Sequence, residues 1–318
     1  MKKWIGPALL AFACAAQAQT FPAKPLRMLV GFPPGGTNDL MARIVAQKLG
    51  ESLGQPVVVE NRPGASGVIA AEVLARAAPD GYTLMLGSTG TNTIAPALNA
   101  KLPYDPVRDL APVGLVGIAA SALVVNAQVP AHNVAELIAL ARSRPGKLTY
   151  ASSGSGTTLH LGGELFKLLA GVDMLHVPYK GNAQALNDVA GGQVDLIFSA
   201  LPPALPLAKA GRVRILGVGM PERLRSAPEL PTIAEQGLPG YEMWTWYGVF
   251  ATGGSPADAI ERLSRELRAA LADAKVREQI TAQGADPSGS TPAEFRTLVA
   301  AELEKWARVV KSAGIKAE

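Results

Sequence analysis

Short apolar runs alternate along this chain with longer stretches whose apolar residues recur every three or four positions, and this alternation constrains the fold more than any other feature. "PLRMLVGF" at 25–32 is followed by Leu40, Met41, Ile44, Val45, Leu49 and Leu53, a stripe at helical spacing that Gly54 stops. "PVVVEN", the helical "GVIAAEVLARAA", the turn Asp80-Gly81 and the strand-like "YTLMLGS" continue the pattern. Strands separated by such helices join into right-handed βαβ units and a parallel sheet. A second series starts with "ALVVN" at 122–126 and runs through "KLTYASS", "MLHVPY", "VDLIFSA" and "RVRILGVG", with helices between them. "WTWYGVFA" at 244–251 and three helices rich in Glu, Arg and Ala close the chain. This last part is too strand-poor for a third unit and is expected to pack back on the first.

The expected fold class is therefore α/β with two lobes, each a mostly parallel sheet flanked by helices, the second inserted into the chain path of the first. Lobe one is expected to hold 19–122 and 226–318, and lobe two 123–225, with links near 121–126 and 221–235. The 318 residues suffice for two domains, and 48% hydrophobic against 18% charged residues fits a folded chain. Open parallel sheets bind ligands beyond the carboxyl ends of their strands, so the cleft between the lobes is the default site. Trp244 and Trp246 alternate onto one face of the late strand, where they either turn toward that cleft or fill the core under the C-terminal helices.

The N-terminus has the order of an export signal. Lys2 and Lys3 precede an apolar run from Trp4 to Ala13, and Ala16-Gln17-Ala18 supplies the small-x-small cleavage pattern. The run is too short to span a membrane, which takes about 20 apolar residues. Cleavage after Ala18 removes two lysines and lowers the formal charge from +4 to +2. No basic stripe suggests nucleic acid. The one cysteine, Cys14, lies inside the signal, so the mature chain holds no disulfide. Lipidation of Cys14 is the alternative, although Ala11-Phe12-Ala13 lacks the usual leucine three positions upstream.

Two polar loops follow strands and open helices: "FPPGGTND" at 32–39 and "SSGSGTTLH" at 152–160. Glycine lets the backbone approach a ligand closely, and the first N–H groups of a helix have no partner within it. Each loop is a candidate carboxylate or phosphate cradle that needs no Arg or Lys. A plainer reading also holds: Thr37 and Thr157 or Thr158 as N-caps, Asp39 as a complement to the helix dipole. "GSGTTL" lacks the third glycine of a dinucleotide fingerprint, and no Gly-Lys-Ser/Thr follows either loop. No cofactor is expected.

Catalytic and metal constellations are thin. His132 is expected on a surface turn and His176 in a strand as a structural residue. His160 alone adjoins a glycine loop, with Glu164 one helical turn on, but no third metal ligand is evident. G-x-S-x-G is absent, and "GSTG" at 87–90 lacks its spacing. A non-enzyme is expected; a secreted hydrolase or isomerase using the same cleft is the competing class.

Several stretches together resemble the Bug-type solute receptors of tripartite tricarboxylate transporters: "PGGTND", "VENRPGASG", "DGYTLMLGS", "LPYDPVRDLAPVGLV", "HVPYKG", "GGQVDLIF", "AGRVRILGV", "LPTIAEQGLPGYE" and "EKWARVVKSAGIK". The resemblance implies a type II-like periplasmic binding protein that closes on a small carboxylated solute. It also implies a monomer whose partners are that solute and integral-membrane transporter subunits. A sensor without a transport role remains an alternative. Carried over, the ligand contacts are Phe32, Thr37, Asn38 and Asp39 in lobe one and Ser155, Gly156, Thr157 and Thr158 in lobe two. Loops after neighbouring strands add Ser88, Thr91, Lys180, Gly181 and Ser199. The implied location is the periplasm, and N-terminal sequencing of protein recovered there is expected to begin at Gln19; a chain starting at an acylated Cys14 would overturn the cleavage site.

Overall fold

The structure, a computed structural model, describes residues 21–99, 101–224 and 227–315. The signal segment and Cys14 lie outside the described residues. The first series folds as β1 (Leu26–Val30), α1 (Thr37–Leu53), β2 (Val57–Asn61), α2 (Val68–Ala75) and β3 (Thr83–Ser88). A π-helical turn, Gly90–Ile94, leads into the short α3 (Ala95–Leu98) and then β4 (Leu110–Asn126). The second series is α4 (Val134–Ser143), β5 (Thr149–Ser152), α5 (Thr158–Ala170), β6 (Leu175–Pro178), α6 (Asn182–Ala190), β7 (Leu196–Ala200), α7 (Leu201–Lys209) and β8 (Val213–Val218). β9 (Trp244–Thr252), α8 (Ala257–Ala272), α9 (Ala274–Ala282), the two-residue β10 (Asp286–Pro287) and α10 (Pro292–Ala313) complete it.

The strands are ordered β2-β1-β3-β9-β4-β7-β5-β6, with β8 and β10 also paired to β4. β2, β1 and β3 are parallel, as are β6, β5 and β7, which is what βαβ units produce. The pairings of β4 and β9 are antiparallel. The sheet is thus more mixed than the sequence pattern suggests, because β4 and β9 carry the chain between the lobes in opposite directions. β4 is also far longer than the expected strand at 122–126. Pro112, Gly114 and Gly117 mask its first half, and the pairing with β9 shifts register at those positions. Side chains at Gly114 and Gly117 would lie 3.1 Å from the Ser290 carbonyl and 3.0 Å from that of Asp286, so both glycines admit the chain around β10.

β4 changes partners at Ala120/Ser121: residues up to Ala120 pair with β9, and those from Ser121 pair with β7 and β8. The Ser121 hydroxyl donates to the Met243 carbonyl, and the Met243 amide donates to Gly219 at 2.8 Å. A Cβ on Gly219 would sit 2.2 Å from the Met243 carbonyl oxygen, so only glycine fits where these segments cross. The chain returns to the first sheet at Trp244, later than the expected link at 221–235. Its Pro/Gly-rich approach reads as linker, yet Ile233, Leu238, Tyr241 and Met243 are buried with Tyr150 and Phe166 in the second lobe's core.

α10 corrects the expected division in another way. Its N-terminal half buries Phe295 and Val299 beside Trp246 and Phe250 under the first sheet. Its C-terminal half buries Trp306, Val309 and Val310 beside Leu123, Tyr150 and Phe166. The helix starts at a capping box, Thr291 with Glu294, and ends at a left-handed Gly314. Trp246 is fully buried and meets Phe295 edge-on at 5.3 Å, so of the two readings of this tryptophan the core holds. Trp306 is also fully buried, its indole N–H donating to Glu302 at 2.8 Å. Trp306→Ala is expected to lower unfolding stability by about 3–5 kcal/mol in urea titration; an unchanged midpoint would mean that α10 does not anchor the second lobe.

Candidate ligand-binding site

The two glycine loops open on one cavity of about 490 Å³ between the lobes. Phe32 and Asn38 line it from the end of β1 and the start of α1, and Ser88 and Gly90 from the end of β3. Ser155, Gly156, Thr157 and Thr158 line it from the second lobe. Thr245 and Tyr247, on the face of β9 opposite Trp246, form part of its wall. Ala65 and Ser66 close one side, and Ile94, Ala95, Leu98 and Asn99 another. A larger open groove, about 720 Å³, lies between residues 96–109 and α10. It receives neither helix N-terminus, so its size does not make it the better candidate.

Loop one is shaped by glycine and held by Asp39. Gly35 takes a left-handed φ of 85°, and Gly36, extended, occupies the cap position of α1. Thr37 is therefore the first helical residue rather than the cap, and, unlike the expected contact, it is not among the residues that line the cavity. The Asp39 carboxylate, 2% exposed, accepts from the Gly35 amide, from Arg43 Nε and from Asn61 Nδ2, each at 2.9 Å. Asn61 also donates to the Phe32 carbonyl at 3.0 Å. The Arg43 hydrogen bond holds the Asp39 pKa down, at about 2. Asp39 is thus spent on its own loop and does not reach the cavity, contrary to the expected ligand contact. The first-turn amides of α1 remain without helical acceptors.

Loop two is built differently. Thr157 caps α5, accepting from the His160 amide at 3.3 Å, while its hydroxyl donates to the Gly154 carbonyl at 2.7 Å. Gly154 and Gly156 have φ of 133° and 73°, which the turn requires. Thr158 brings its hydroxyl across to the first lobe, 3.7 Å from where a Cβ on Gly90 would lie. Among the described residues no lining side chain of the cavity is charged at neutral pH; the Tyr247 hydroxyl is pushed up to about 12 by burial.

Several expected contacts stand elsewhere. Thr91, 1% exposed, donates to the Ser66 carbonyl at 3.0 Å and so supports a lining residue without being one. Ser199 is fully buried and donates to the Ala200 carbonyl. Lys180 is exposed, and Gly181 caps α6, both outside the lining. The missed residues are Ala65, Ser66, Gly90, Ile94, Ala95, Leu98, Asn99, Thr245 and Tyr247. Strand alternation places Thr245 and Tyr247 opposite the tryptophans, and the glycine-flanked "PGASG" marked the Ala65-Ser66 turn, where both residues have positive φ.

His132 is exposed, as expected, and His176 lies half-buried in β6. His176 stacks on His160 at 3.9 Å and on Tyr150 at 4.8 Å, and its Nε2 is 2.7 Å from the Ser152 hydroxyl. Ser152 is fully buried and outside the cavity lining, so this serine–histidine contact faces no ligand. Glu164 is taken up by the Tyr150 hydroxyl at 2.5 Å and Lys167 at 3.0 Å. Among the described residues no cluster of three His, Cys, Asp or Glu could hold a metal.

A mixed α/β chain with two helix N-termini facing one uncharged cleft has the build of a solute-binding protein. The family model of the tripartite tricarboxylate transporter receptors matches residues 41–315, and the chain belongs to that family. Among solved structures, a Rhodopseudomonas palustris protein, Rpa4515 with adipate, is 39% identical with a TM-score of 0.75, covering 93% of this chain and 99% of that one. The periplasmic binding protein BugD is 34% identical with a TM-score of 0.72, covering 94% and 100%. MatC from Rhodopseudomonas palustris with bound malate is 33% identical with a TM-score of 0.71, covering 91% and 100%. No described helix is long and apolar enough to cross a membrane.

Asp39→Ala strands the Gly35 amide, Arg43 and Asn61. Because the folded pKa is depressed below 3.8, the Asp39 contribution is present above that value and fades as pH falls toward about 2. The variant is expected to lose about 2 kcal/mol at pH 7 and much less at pH 2.5, read by thermal unfolding at both pH values; equal losses at the two would show that the ionised carboxylate is not what holds the loop.

Proposed function

We propose that this protein is an extracytoplasmic receptor that traps a small carboxylate-bearing solute between its lobes and hands it to a tripartite membrane transporter. The observation that carries the reading is the convergence of two glycine-loop helix N-termini, one from each lobe, on a cavity that has no charged side chain among its described lining residues. Backbone amides and hydroxyls there satisfy an anion through fixed dipoles, at positions where the helix dipoles favour negative charge. Adipate and malate in the related structures are carboxylates of the size this cavity takes. The Asn38 side-chain oxygen is buried without a partner in the protein, on a residue that lines the cavity; as an acceptor it suits a hydroxyl or other donor of the solute rather than its carboxylate. The lobe boundaries that support closure are the partner switch at Ala120/Ser121 and the return at Met243/Trp244, with 121–243 as the inserted lobe.

Isothermal calorimetry against a panel of carboxylates, adipate and malate included, tests the reading, and native mass spectrometry of undenatured protein weighs any solute carried through purification. Thr158→Val keeps the shape and removes one donor. It is expected to weaken binding by about 1.5–3 kcal/mol, roughly 10- to 150-fold. Lys180→Met, outside the cavity, is expected to change nothing. A panel without a single saturable binder, or a Thr158→Val protein that binds as tightly as wild type, would sink the assignment.

A further inference from the structure

We propose that His160 is a positioning residue of the second anion loop: its neutral imidazole holds the Gly156 amide in the shape that lines the cavity, and its protonation releases that loop and the solute. This rests on the cavity being the solute site. The Gly156 amide donates to His160 Nδ1 at 3.0 Å. A ring nitrogen accepts only when it carries no proton, so His160 is the tautomer with its proton on Nε2. Imidazolium carries N–H groups at both positions. Two N–H groups then point at each other across 3.0 Å, and Gly156, already at a φ that favours glycine, has to turn away.

The second histidine holds the same loop from below. His176 lies flat against His160, with 3.9 Å between ring centroids and 13° between planes. Its Nε2 meets the Ser152 hydroxyl, which contacts the Gly154 amide at 3.2 Å and the Gly154 carbonyl at 3.1 Å. Two stacked imidazoles at this distance do not charge together cheaply.

The groups around His160 keep it neutral. On its own helix, Glu164 favours the charged form and Lys167 opposes it, and Glu164 is engaged by Lys167 and the Tyr150 hydroxyl. β5 contributes Tyr150 and β6 contributes His176. Tyr241, also against α5, donates to the Gly162 carbonyl. β7, the π-helical turn and α3 bring no titratable side chain. The buried side of α10 brings Glu302 and Lys305, paired with each other. Burial is the largest influence on both imidazoles and pushes each below the ordinary 6.5, His176 to about 4. The neutral state is therefore complete above 6.5 and is lost as pH falls through the folded values, and affinity for the solute falls with it.

The test uses the mature chain, ¹⁵N-labelled. His160 Nδ1 is expected to show the shift of an unprotonated, hydrogen-bonded nitrogen at pH 7.5, and the Gly156 amide resonance to move with the His160 titration. In His160→Asn the side-chain oxygen replaces Nδ1 as a non-titrating acceptor, so the Gly156 amide is expected to keep its neutral-pH shift and lose the acid transition. His160→Leu is expected to show the acid-form shift throughout. With adipate as the calorimetric probe, wild-type affinity should drop by close to tenfold per pH unit below the midpoint beyond any drop in His160→Asn; adipate's own ionisation is common to both proteins. A Gly156 amide that ignores pH, or parallel loss of affinity in wild type and His160→Asn, overturns the proposal. If neither adipate nor any other carboxylate binds at neutral pH, the receptor reading is what fails, and the amide titration still decides the His160–Gly156 coupling.

Discussion

The pairing of β4 with β9 is the constraint on which the rest of the molecule depends. Each strand takes the chain from one lobe toward the other, in opposite senses, so they lie antiparallel along most of their length. β4 serves both sheets without a break, donating its first part to β9 and β10 and its last part to β7 and β8. The crossing admits only small groups, and Ser121, Gly219 and Met243 meet there through backbone and hydroxyl contacts. A site formed at the strand ends of two sheets is thereby held in register by one shared strand, while the two βαβ halves keep separate cores.

The proposed anion site follows from the same economy of charge. Each lobe presents the start of a helix, and among the described residues no cationic side chain lines the space between. The acidic residue nearest the first loop is neutralised by Arg43 and directed inward, where it fixes the backbone rather than repelling an anionic solute. The second loop has no such acid. It is braced from below by stacked aromatic and imidazole rings, Tyr150, His176 and His160, so its order is tied to the protonation of nitrogen rather than to an ion pair.

Most strands, the helices and both glycine loops were legible in the sequence, because hydrophobic period and glycine-to-polar transitions are local signals. What escaped was set by contacts between distant segments. The first half of β4 lay outside the expected strand at 122–126: the cost of Pro112, Gly114 and Gly117 in a strand is local, while the benefit of the two glycines lies in the approach of the chain near Asp286 and Ser290. The stretch before Trp244 looked like linker, although Ile233 and Tyr241 anchor it. Asp39 in a first helical turn serves a ligand or its own loop equally well by pattern, and only the position of Asn61 and Arg43 decides. Lys180, Ser199, Thr91 and Gly181 came with the family resemblance, and motif order does not say which way a side chain points. For β9 the alternation was right, but the wall of the cavity is the face carrying Thr245 and Tyr247.

The path of α10 bears on how the protein unfolds. Phe295 completes one core and Trp306 the other, and both are fully buried side chains of a single helix. Detaching either end exposes a large aromatic and leaves a void, so neither lobe is a closed thermodynamic unit without it. Two-lobed chains joined only by flexible links commonly lose their lobes in separate transitions. Here the same helix packs into both cores, so the two lobes are expected to unfold in one cooperative transition despite the two sheets.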